Sequence, residues 1–355
     1  MTHKRPLQER FARGLLHTLA ALPNGAQRLL GGRPISIDGQ VLDTEVQMAL
    51  RLLNLAAGKT FEELPLDQGR AQISSEAWVF GDALPLATVQ DLSIPGPAGT
   101  IPARLYRAAG VPEPSALLVY FHGGGWVLGD LEVSDSACRY LATHAGLAVL
   151  SVDYRLAPEN PFPAAVEDAV AVFRYAVDHA DSLGADPAAI GVAGESAGGN
   201  LAAVVSQITT REPGPAPAFQ LLFFPVADLS TKHPSYRLFS EGFFLTEAQM
   251  DWYREHYLAD PAQVVDPRVS PLLAEDLTGL PPAYVAVAGF DPLRDEGEAY
   301  AARLKQAGVL VTLRRHSGLI HGIINATGVG HAGREVLLQA AGALRVGLTA
   351  RAGSV

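Results

Sequence analysis

From about residue 87 onward, short apolar runs rich in β-branched residues alternate with stretches of helical periodicity. Continuously apolar strands separated by helices are typical of a parallel sheet that is buried on both faces. The strands predicted in this series are residues 116–121, 147–152, 190–193, 219–224, 284–288 and 310–315. The main helices predicted between them are residues 136–145, 164–179, 197–208 and 296–307.

Two further apolar runs, 88–93 and 101–107, precede this series and are separated by Gly96-Pro97. A glycine and a proline between two such runs indicate a turn, so the runs are predicted to form an antiparallel hairpin. Together with the later strands they predict an α/β fold with an eight-stranded, mostly parallel, doubly wound sheet that has an antiparallel start.

Two segments lie outside this alternation. Residues 1–75 have helical periodicity that prolines and glycines interrupt, and we predict a helical cap segment there, followed by a core formed by residues 76–355. Within the core, residues from about 228 to 275 form an insertion that is rich in aromatic side chains, namely Phe239, Phe243, Phe244, Trp252, Tyr253 and Tyr257. Such an insertion at the carboxyl edge of a sheet is predicted to form a lid or a substrate pocket, and ordinary helix packing is the alternative for each aromatic residue.

The start of the chain predicts an amphipathic helix, because apolar residues recur there at helical spacing. These residues are Leu7, Phe11, Leu15, Leu19 and Leu22. Apolar stripes usually face a core, so we expect this one to pack on the chain's own domain, with contact to a lipid surface or a guarding role at the substrate entrance as the alternatives. The first 33 residues are also basic, with one acid, Glu9, against Lys4, Arg5, Arg10, Arg13, Arg28 and Arg33.

Composition and charge narrow the class of protein. Of the 355 residues, 48% are hydrophobic and 18% are charged, which is typical of a globular chain. The net charge of −10 argues against nucleic acid as the main partner, because phosphate binding needs a basic surface. The single cysteine, Cys138, excludes an internal disulfide. No apolar run approaches the ~20 residues that span a bilayer and no signal-peptide pattern is present, so we expect a cytoplasmic protein that is not integral to a membrane.

The sequence Gly194-Glu195-Ser196-Ala197-Gly198 is a G-x-S-x-G motif placed between a predicted strand and a predicted helix. In that context the serine occupies a sharp turn whose flanking residues must be small, and its hydroxyl is exposed as a nucleophile. The N-terminus of the following helix contributes a positive dipole end and free N–H groups. We therefore predict that Ser196 is a nucleophile and that the Ala197 N–H donates to an oxyanion.

A second motif, His122-Gly123-Gly124-Gly125-Trp126, follows the predicted strand 116–121. The bare backbone of such a glycine run can direct N–H groups at a developing oxyanion. We predict that Gly123 and Gly124 supply two donors opposite Ala197, and that His122 supports the loop. A phosphate cradle is excluded, because no Lys-Ser or Lys-Thr pair follows the glycines.

A serine nucleophile needs a base that is held by an acid, and in this architecture the chain order is serine, acid, histidine. Asp291 follows the predicted strand 284–288, at the edge where parallel strands present functional groups. Its rivals Asp295 and Glu296 lie further on, in the first turn of the next predicted helix. Three histidines follow Asp291, and the sequence favours His321, which is in a loop, over His316 and His331.

The chain resembles the hormone-sensitive lipase family of α/β-hydrolases, the group IV bacterial carboxylesterases, from about residue 40 to residue 345. The motifs that carry the resemblance are His122-Gly123-Gly124-Gly125-Trp126, Asp153-Tyr154-Arg155-Leu156-Ala157-Pro158-Glu159, Gly194-Glu195-Ser196-Ala197-Gly198-Gly199-Asn200, Ser270-Pro271-Leu272, Asp291-Pro292-Leu293-Arg294-Asp295-Glu296-Gly297 and His321-Gly322. The resemblance implies Ser196, Asp291 and His321 as a catalytic triad, in agreement with the residues chosen above. The chain departs from the family pattern at Asn160, where histidine is common, and at Ile323, where an aromatic residue is common.

The resemblance also implies a helical cap that lines an acyl pocket, no cofactor and no metal, and often a homodimer. We therefore expect a serine carboxylesterase that hydrolyses small-molecule esters with short to medium acyl chains. Two alternatives stay open. An amide or formamide hydrolase would use the same triad. A non-catalytic small-molecule receptor would keep the fold, as in plant gibberellin receptors, which lack the histidine that His321 supplies here.

Overall fold

A computed structural model describes residues 6–56 and 58–349 of the chain, so Lys4 and Arg5 lie outside the described residues. The chain begins with helices and one short hairpin: α1 (Leu7–Ala20), α2 (Asn24–Gly31), β1 (Ser36–Ile37), β2 (Gln40–Val41), α3 (Thr44–Ala56) and α4 (Leu66–Phe80). Helix α4 runs across residue 75, where the cap segment was predicted to end, so this helical part of the chain continues to Phe80.

Eight strands of the described residues form the main sheet: β3 (Thr88–Gly96), β4 (Gly99–Arg107), β5 (Ser115–Phe121), β6 (Ala148–Val152), β7 (Ala185–Glu195), β8 (Gln220–Phe223), β9 (Ala283–Phe290) and β10 (Val311–Ile320). Their order is β10-β9-β8-β7-β5-β6-β4-β3. The β3–β4 and β4–β6 pairs are antiparallel and the other pairs are parallel. The predicted eight-stranded α/β sheet with an antiparallel start is therefore confirmed.

The remaining helices are α5 (Asp135–Ala145), α6 (Ala164–Asp178), α7 (Ala197–Arg211), α8 (Pro234–Leu238), α9 (Glu247–Tyr257), α10 (Arg294–Gln306) and α11 (Ala332–Thr349). Short turns of 3-10 helix lie at Phe61–Glu63, Asp181–Leu183, Pro261–Val265, Pro271–Leu273 and Ile323–Asn325. Helices α5, α6, α7 and α10 match the helices predicted between the strands.

The central strand β5 shows why the sheet is buried on both faces. Its side chains alternate between two apolar clusters, with Leu117 and Val119 in one and Leu118 and Tyr120 in the other. Each of these residues is fully buried. A strand with apolar side chains on both faces must be covered by helices on both sides, which is the arrangement that α5 to α7 and α10 to α11 provide.

The apolar stripe of α1 does not pack as expected. Leu7, Phe11 and Leu15 are exposed, and the side that faces the protein carries Arg13 and the buried Ala20 instead. Helical spacing of apolar residues cannot say which side of a helix meets the core when both sides carry apolar groups. The prediction that this stripe packs on the chain's own domain was therefore wrong for its first three members.

The insertion between β8 and β9 contains α8, α9 and two 3-10 turns. Phe239, Tyr253 and Tyr257 of this insertion are buried, whereas Phe244 is about half exposed. The ring of Phe61, from the helical cap segment, stacks on Tyr253 with centroids 5.3 Å apart. The cap segment and the insertion thus meet through aromatic rings above the sheet.

Candidate active site

The three residues predicted to act together follow the carboxyl ends of three parallel strands of the sheet. Ser196 follows β7, Asp291 follows β9 and His321 follows β10 directly. Because carboxyl ends of parallel strands share one edge of a sheet, these residues converge at that edge. Strand β10 extends to Ile320, five residues beyond its predicted end, so His321 lies in the turn that follows the strand directly.

Ser196 has the backbone strain that a nucleophile elbow requires. Its φ is 57° and its ψ is −120°, in a region that residues with a side chain rarely adopt. The surrounding structure holds this conformation, since the Ser196 N–H donates to the Phe223 carbonyl at 2.9 Å and its carbonyl accepts from the Val226 N–H at 3.2 Å. Ser196 is also the residue that immediately precedes α7, so it lies at the positive end of that helix dipole.

The glycines of the motif allow strand and helix to approach closely. A Cβ on Gly198 would lie 1.9 Å from the Phe121 carbonyl oxygen, and one on Gly194 would lie 2.3 Å from the Gly198 backbone. No side chain fits at either distance. The G-x-S-x-G spacing is therefore a steric requirement of this turn, as the sequence predicted.

His321 and Asp291 form a buried pair. The Nδ1 atom of His321 lies 2.8 Å from Oδ2 of Asp291, and both side chains are buried. The other carboxylate oxygen of Asp291 accepts from the Leu293 N–H at 2.9 Å, which fixes the orientation of the carboxylate. A histidine whose Nδ1–H is held by a carboxylate presents Nε2 as a base.

The other two candidate acids, Asp295 and Glu296, form hydrogen bonds with other parts of the chain. Asp295 accepts from the Ser235 N–H at 2.9 Å and pairs with Arg294, so it anchors α8. The buried Glu296 accepts from the N–H groups of Ala227 and Asp228, at 2.8 and 3.3 Å. Neither carboxylate contacts His321 among the described residues.

The rival histidines lie apart from the pair. His316 is within β10, and burial with the nearby Arg314 charge lowers its pKa to about 4. The backbone N–H of His331 donates to Glu45 at 2.7 Å, just ahead of α11.

The glycine loop after β5 departs from the prediction at one residue. The Gly123 N–H donates to Oε1 of Glu195 at 3.0 Å, so it is not free to donate to an oxyanion. Gly124 and Gly125 have φ values of 111° and 61°, and their N–H groups have no acceptor among the described residues. Gly123 therefore leaves the predicted set of donors, because the carboxylate of Glu195, the residue before Ser196, takes up its N–H.

Gly125 also lies too close to a neighbouring side chain to carry a Cβ. A Cβ there would lie 2.1 Å from the ring of Tyr253, which covers the loop from helix α9. The adjacent Trp126 is fully buried and stacks on Tyr257 with centroids 4.2 Å apart. The aromatic residues of the insertion thus hold the glycine loop from above.

His122 supports the loop from within the core. Its ring is fully buried and stacks on Tyr154 at 4.3 Å, and its Nδ1 lies 2.7 Å from the Gly123 carbonyl oxygen. The Tyr154 hydroxyl donates to the His122 carbonyl at 2.8 Å. This packing gives His122 the supporting position that the sequence predicted.

Glu195 is a residue of the site whose role the sequence did not reveal. Its buried carboxylate accepts from the Gly123 N–H, from the Ser134 hydroxyl at 2.6 Å, from the Asn325 amide at 3.2 Å and from the Tyr120 hydroxyl. Burial and the Glu195 charge raise the pKa of Tyr120 well above its ordinary value, so the phenol keeps the proton that it shares. The sequence did show a charged residue at the end of an apolar strand. It could not show the hydrogen-bond partners of Glu195, because they are distant in sequence.

Glu195 also connects the turn that carries Ser196 to the turn that follows His321. Asn325 lies four residues after His321, in the 3-10 turn that follows it, and binds the residue that precedes Ser196. A second connection runs through Phe224, whose ring centroid lies 5.7 Å from that of His321 and whose neighbour Phe223 binds the Ser196 backbone. The segments that carry Ser196 and His321 are thus linked to each other at two points.

Phe244 lies beside Gly322, the residue that follows His321. It has a φ of 76°, which is unusual for an aromatic residue, and a Cβ on Gly322 would lie 3.3 Å from its ring. Its partial exposure beside the His321 loop contrasts with the buried Phe239 and Tyr253 of the same insertion. Phe244 is therefore an exposed aromatic residue of the insertion that lies beside the turn following β10.

Comparisons with known proteins agree with this geometry. A family model described as the alpha/beta hydrolase fold matches residues 118–325. The carboxylic ester hydrolase LipN of Mycobacterium tuberculosis is 47% identical over 315 residues, which are 86% of this chain and 83% of that protein. The ethyl acetate hydrolase of Pseudomonas putida is 39% identical over 274 residues, which are 75% of this chain and 86% of that protein. The structure of ester-hydrolase EH1AB1 from the metagenome of Lake Arreo matches with a TM-score of 0.84 and 42% identity, over 86% of this chain and 98% of that one.

The strand order, the strained serine and the histidine–aspartate pair define an α/β-hydrolase. The family match over more than half of the sequence and the identities to ester hydrolases narrow the class further: the chain belongs to the hormone-sensitive lipase family of α/β-hydrolases. In the part of the chain that the structure describes, no helix has the length and apolar character needed to cross a bilayer.

Proposed function

We propose that this carboxylic ester hydrolase is a serine esterase that acts through Ser196, His321 and Asp291. The observation that carries the proposal is the combination of a serine at φ 57° on a strand–helix turn with the 2.8 Å contact between His321 and Asp291 at the same edge of the sheet. A strained serine exposes its hydroxyl, and a carboxylate-held imidazole can take its proton.

The chemistry follows from these roles. His321 accepts the proton of Ser196 through Nε2 as the serine oxygen attacks the ester carbonyl, and Asp291 stabilises the imidazolium. The imidazolium then protonates the leaving alcohol, which leaves an acyl-serine. Water, deprotonated by His321, hydrolyses this ester and releases the carboxylic acid with the serine hydroxyl restored.

The oxyanion is proposed to bind the N–H groups of Gly124, Gly125 and Ala197. These N–H groups have no acceptor among the described residues, and the positive φ values of the two glycines turn the loop next to the serine. The Ala197 N–H adds the dipole of α7. Loss of one such donor typically lowers the rate by about 10²–10³.

The acyl chain is proposed to be of short to medium length. Support comes from the aromatic covering of the glycine loop, where Tyr253 and Trp126 are both buried, and from Phe244 beside His321. An enclosed, aromatic-lined pocket limits the length of the chain that it accepts.

Hydrolysis of p-nitrophenyl acetate, butyrate, octanoate and palmitate by wild type and Ser196→Ala tests both parts of the proposal. We expect a maximum of kcat/KM at a short or medium ester and a loss on the order of 10⁴-fold or more in the folded variant. Undiminished turnover by Ser196→Ala would refute the serine mechanism. A maximum at palmitate would refute the chain-length assignment alone.

A further inference from the structure

The outward face of helix α1 carries an apolar stripe that the proposed reaction does not use. Leu7 is 80% exposed, Phe11 is 73% exposed and Leu15 is 48% exposed. Residues spaced four apart lie on the same side of a helix, so the three side chains form one continuous stripe. Single exposed apolar residues are ordinary, whereas a contiguous patch indicates a contact surface.

The opposite side of α1 fixes which face points outward. The Arg13 guanidinium lies 4.7 Å from the centroid of the Trp78 ring, donates to the Trp78 carbonyl and is 3.8 Å from the Asp82 carboxylate. The ring of His17 occupies the space beside Gly328, where a Cβ would lie 2.6 Å from it. Helix α1 is thus attached to the protein through Arg13 and His17, and the apolar stripe faces away.

Charge distinguishes this region from the rest of the molecule. Arg10, on α1, and Arg28 and Arg33, on and after α2, are exposed. Glu9 is the single acid of the first 33 residues, in a chain whose net charge is −10. A basic helix with exposed phenylalanine and leucine is typical of helices that lie in a lipid–water interface, and basic residues favour anionic headgroups.

A second copy of the chain fits this face less well. A stable dimer buries on the order of 1,200 Å² or more, which exceeds what three side chains of one helix supply. A two-fold interface through this face would also place the basic regions of both copies in one interface, and like charges repel. An anionic surface, by contrast, complements the arginines and accepts the apolar stripe in one contact.

We propose that helix α1 docks the protein reversibly on an anionic lipid surface. Leu7, Phe11 and Leu15 enter the headgroup region, and Arg10 and Arg28 attract the lipid phosphates. A single short helix gives reversible binding, because stable anchoring needs a second signal. This surface brings the enzyme to esters that are held in a lipid phase.

Co-sedimentation of the full chain with vesicles tests the proposal without reference to catalysis. The vesicles are phosphatidylcholine alone or phosphatidylcholine mixed with phosphatidylglycerol, each at low and high salt. The variants are Phe11→Ser with Leu15→Ser, Arg10→Glu with Arg28→Glu, and Leu310→Ser as the matched control. Leu310 is 76% exposed but lies outside α1, just before strand β10. Thermal unfolding verifies that each variant is folded.

We expect wild type, Leu310→Ser and the inactive Ser196→Ala to bind the anionic vesicles alike, and high salt to release them. Binding by the double serine and double glutamate variants should fall about tenfold or more. Failure of wild type to sediment, or equal binding by the α1 variants, would overturn the proposal. A concentration-dependent dimer that Phe11→Ser with Leu15→Ser abolishes would overturn it in favour of self-association. Because Ser196→Ala is included, failure of the proposed function leaves this test intact.

Discussion

Three acidic side chains lie within the six residues from Asp291 to Glu296, and their hydrogen bonds give them different roles. Asp291 contacts His321, Asp295 anchors the backbone of α8 at Ser235, and Glu296 accepts from the backbone after β8. Spacing alone favoured Asp291 because it follows the strand most closely, and the structure pairs that residue with a histidine.

Asp291→Asn and Asp295→Asn form a matched pair for the proposed role of the acid. We expect Asp291→Asn to lower kcat on the order of 10⁴-fold, because an amide cannot hold Nδ1–H and stabilise the imidazolium as a carboxylate does. Asp295→Asn should keep kcat within about tenfold, because Asp295 does not contact His321. Steady-state kinetics on one soluble ester measures both, and equal losses in the two variants would contradict the assignment.

The buried carboxyl group of Glu296 is expected to make the free energy of unfolding depend on pH. Burial raises the pKa of Glu296 well above its ordinary value, so the folded protein holds a proton there that the unfolded chain releases. The contribution of this group to folding is present in full below the unfolded pKa and is lost as pH rises toward the folded pKa. Glutamine has no such proton, so the stability of Glu296→Gln relative to wild type should increase with pH, by about 1.4 kcal/mol per unit within this window.

Denaturant unfolding at several pH values from roughly pH 5 to pH 8 measures this difference. Glu298→Gln is the control, since Glu298 lies on the same helix but its side chain is partly exposed and forms an ion pair with Arg315. A relative stability of Glu296→Gln that stays constant or falls with rising pH would contradict the assignment of a raised pKa.

At the scale of secondary-structure elements, Glu195 connects the end of β7 to three other parts of the site. These are Gly123 of the glycine loop, Ser134 just ahead of α5, and Asn325 in the turn that follows the histidine. A carboxylate accepts several hydrogen bonds at once, so one side chain can hold loops that carry the proposed nucleophile, oxyanion donors and base.

Glu195→Ala should therefore impair catalysis through position. We expect kcat to fall about 10²-fold or more with a small change in KM, because the misplaced donors act on the transition state. Glu195→Gln should recover part of the rate, since its carbonyl oxygen still accepts. Asp168→Asn is the control: Asp168 is fully buried and binds Arg155, so its loss lowers stability. A folded Glu195→Ala with wild-type kcat, or Asp168→Asn with the same loss of kcat, would contradict this role.

The regular elements of the core were predictable from the sequence, whereas the contacts between distant segments were not. Strands such as β5 and β9 are apolar on both faces, so their sequence pattern indicates strands buried within a sheet. The hydrogen bond from Gly123 to Glu195 joins residues 72 positions apart, and no local pattern encodes it. The orientation of α1 was predicted wrongly for a related reason, since the contact of Arg13 with Trp78 decides which side faces the protein.

At the scale of the whole molecule, the sheet sets the positions of the three proposed catalytic residues, and the insertion covers the neighbouring glycine loop. The sheet edge presents Ser196, Asp291 and His321, and the insertion places Tyr253 on the glycine loop. Phe61 of the cap segment stacks on Tyr253 in turn, so the cap contacts the loop through one intervening ring. A change at Phe61 or Tyr253 could therefore reach the glycine loop that carries the proposed oxyanion donors through these contacts.

The most direct test of Ser196 as the nucleophile is to locate a covalent adduct. Wild type, Ser196→Ala and His321→Ala would be treated with a p-nitrophenyl alkylphosphonate, and peptide mass spectrometry would identify the modified residue. We expect one phosphonyl group per chain, on Ser196, with ester hydrolysis lost in proportion. Ser196→Ala should stay unlabelled and His321→Ala should react several orders of magnitude more slowly. Labelling at another residue, or full hydrolysis by chains labelled at Ser196, would contradict it.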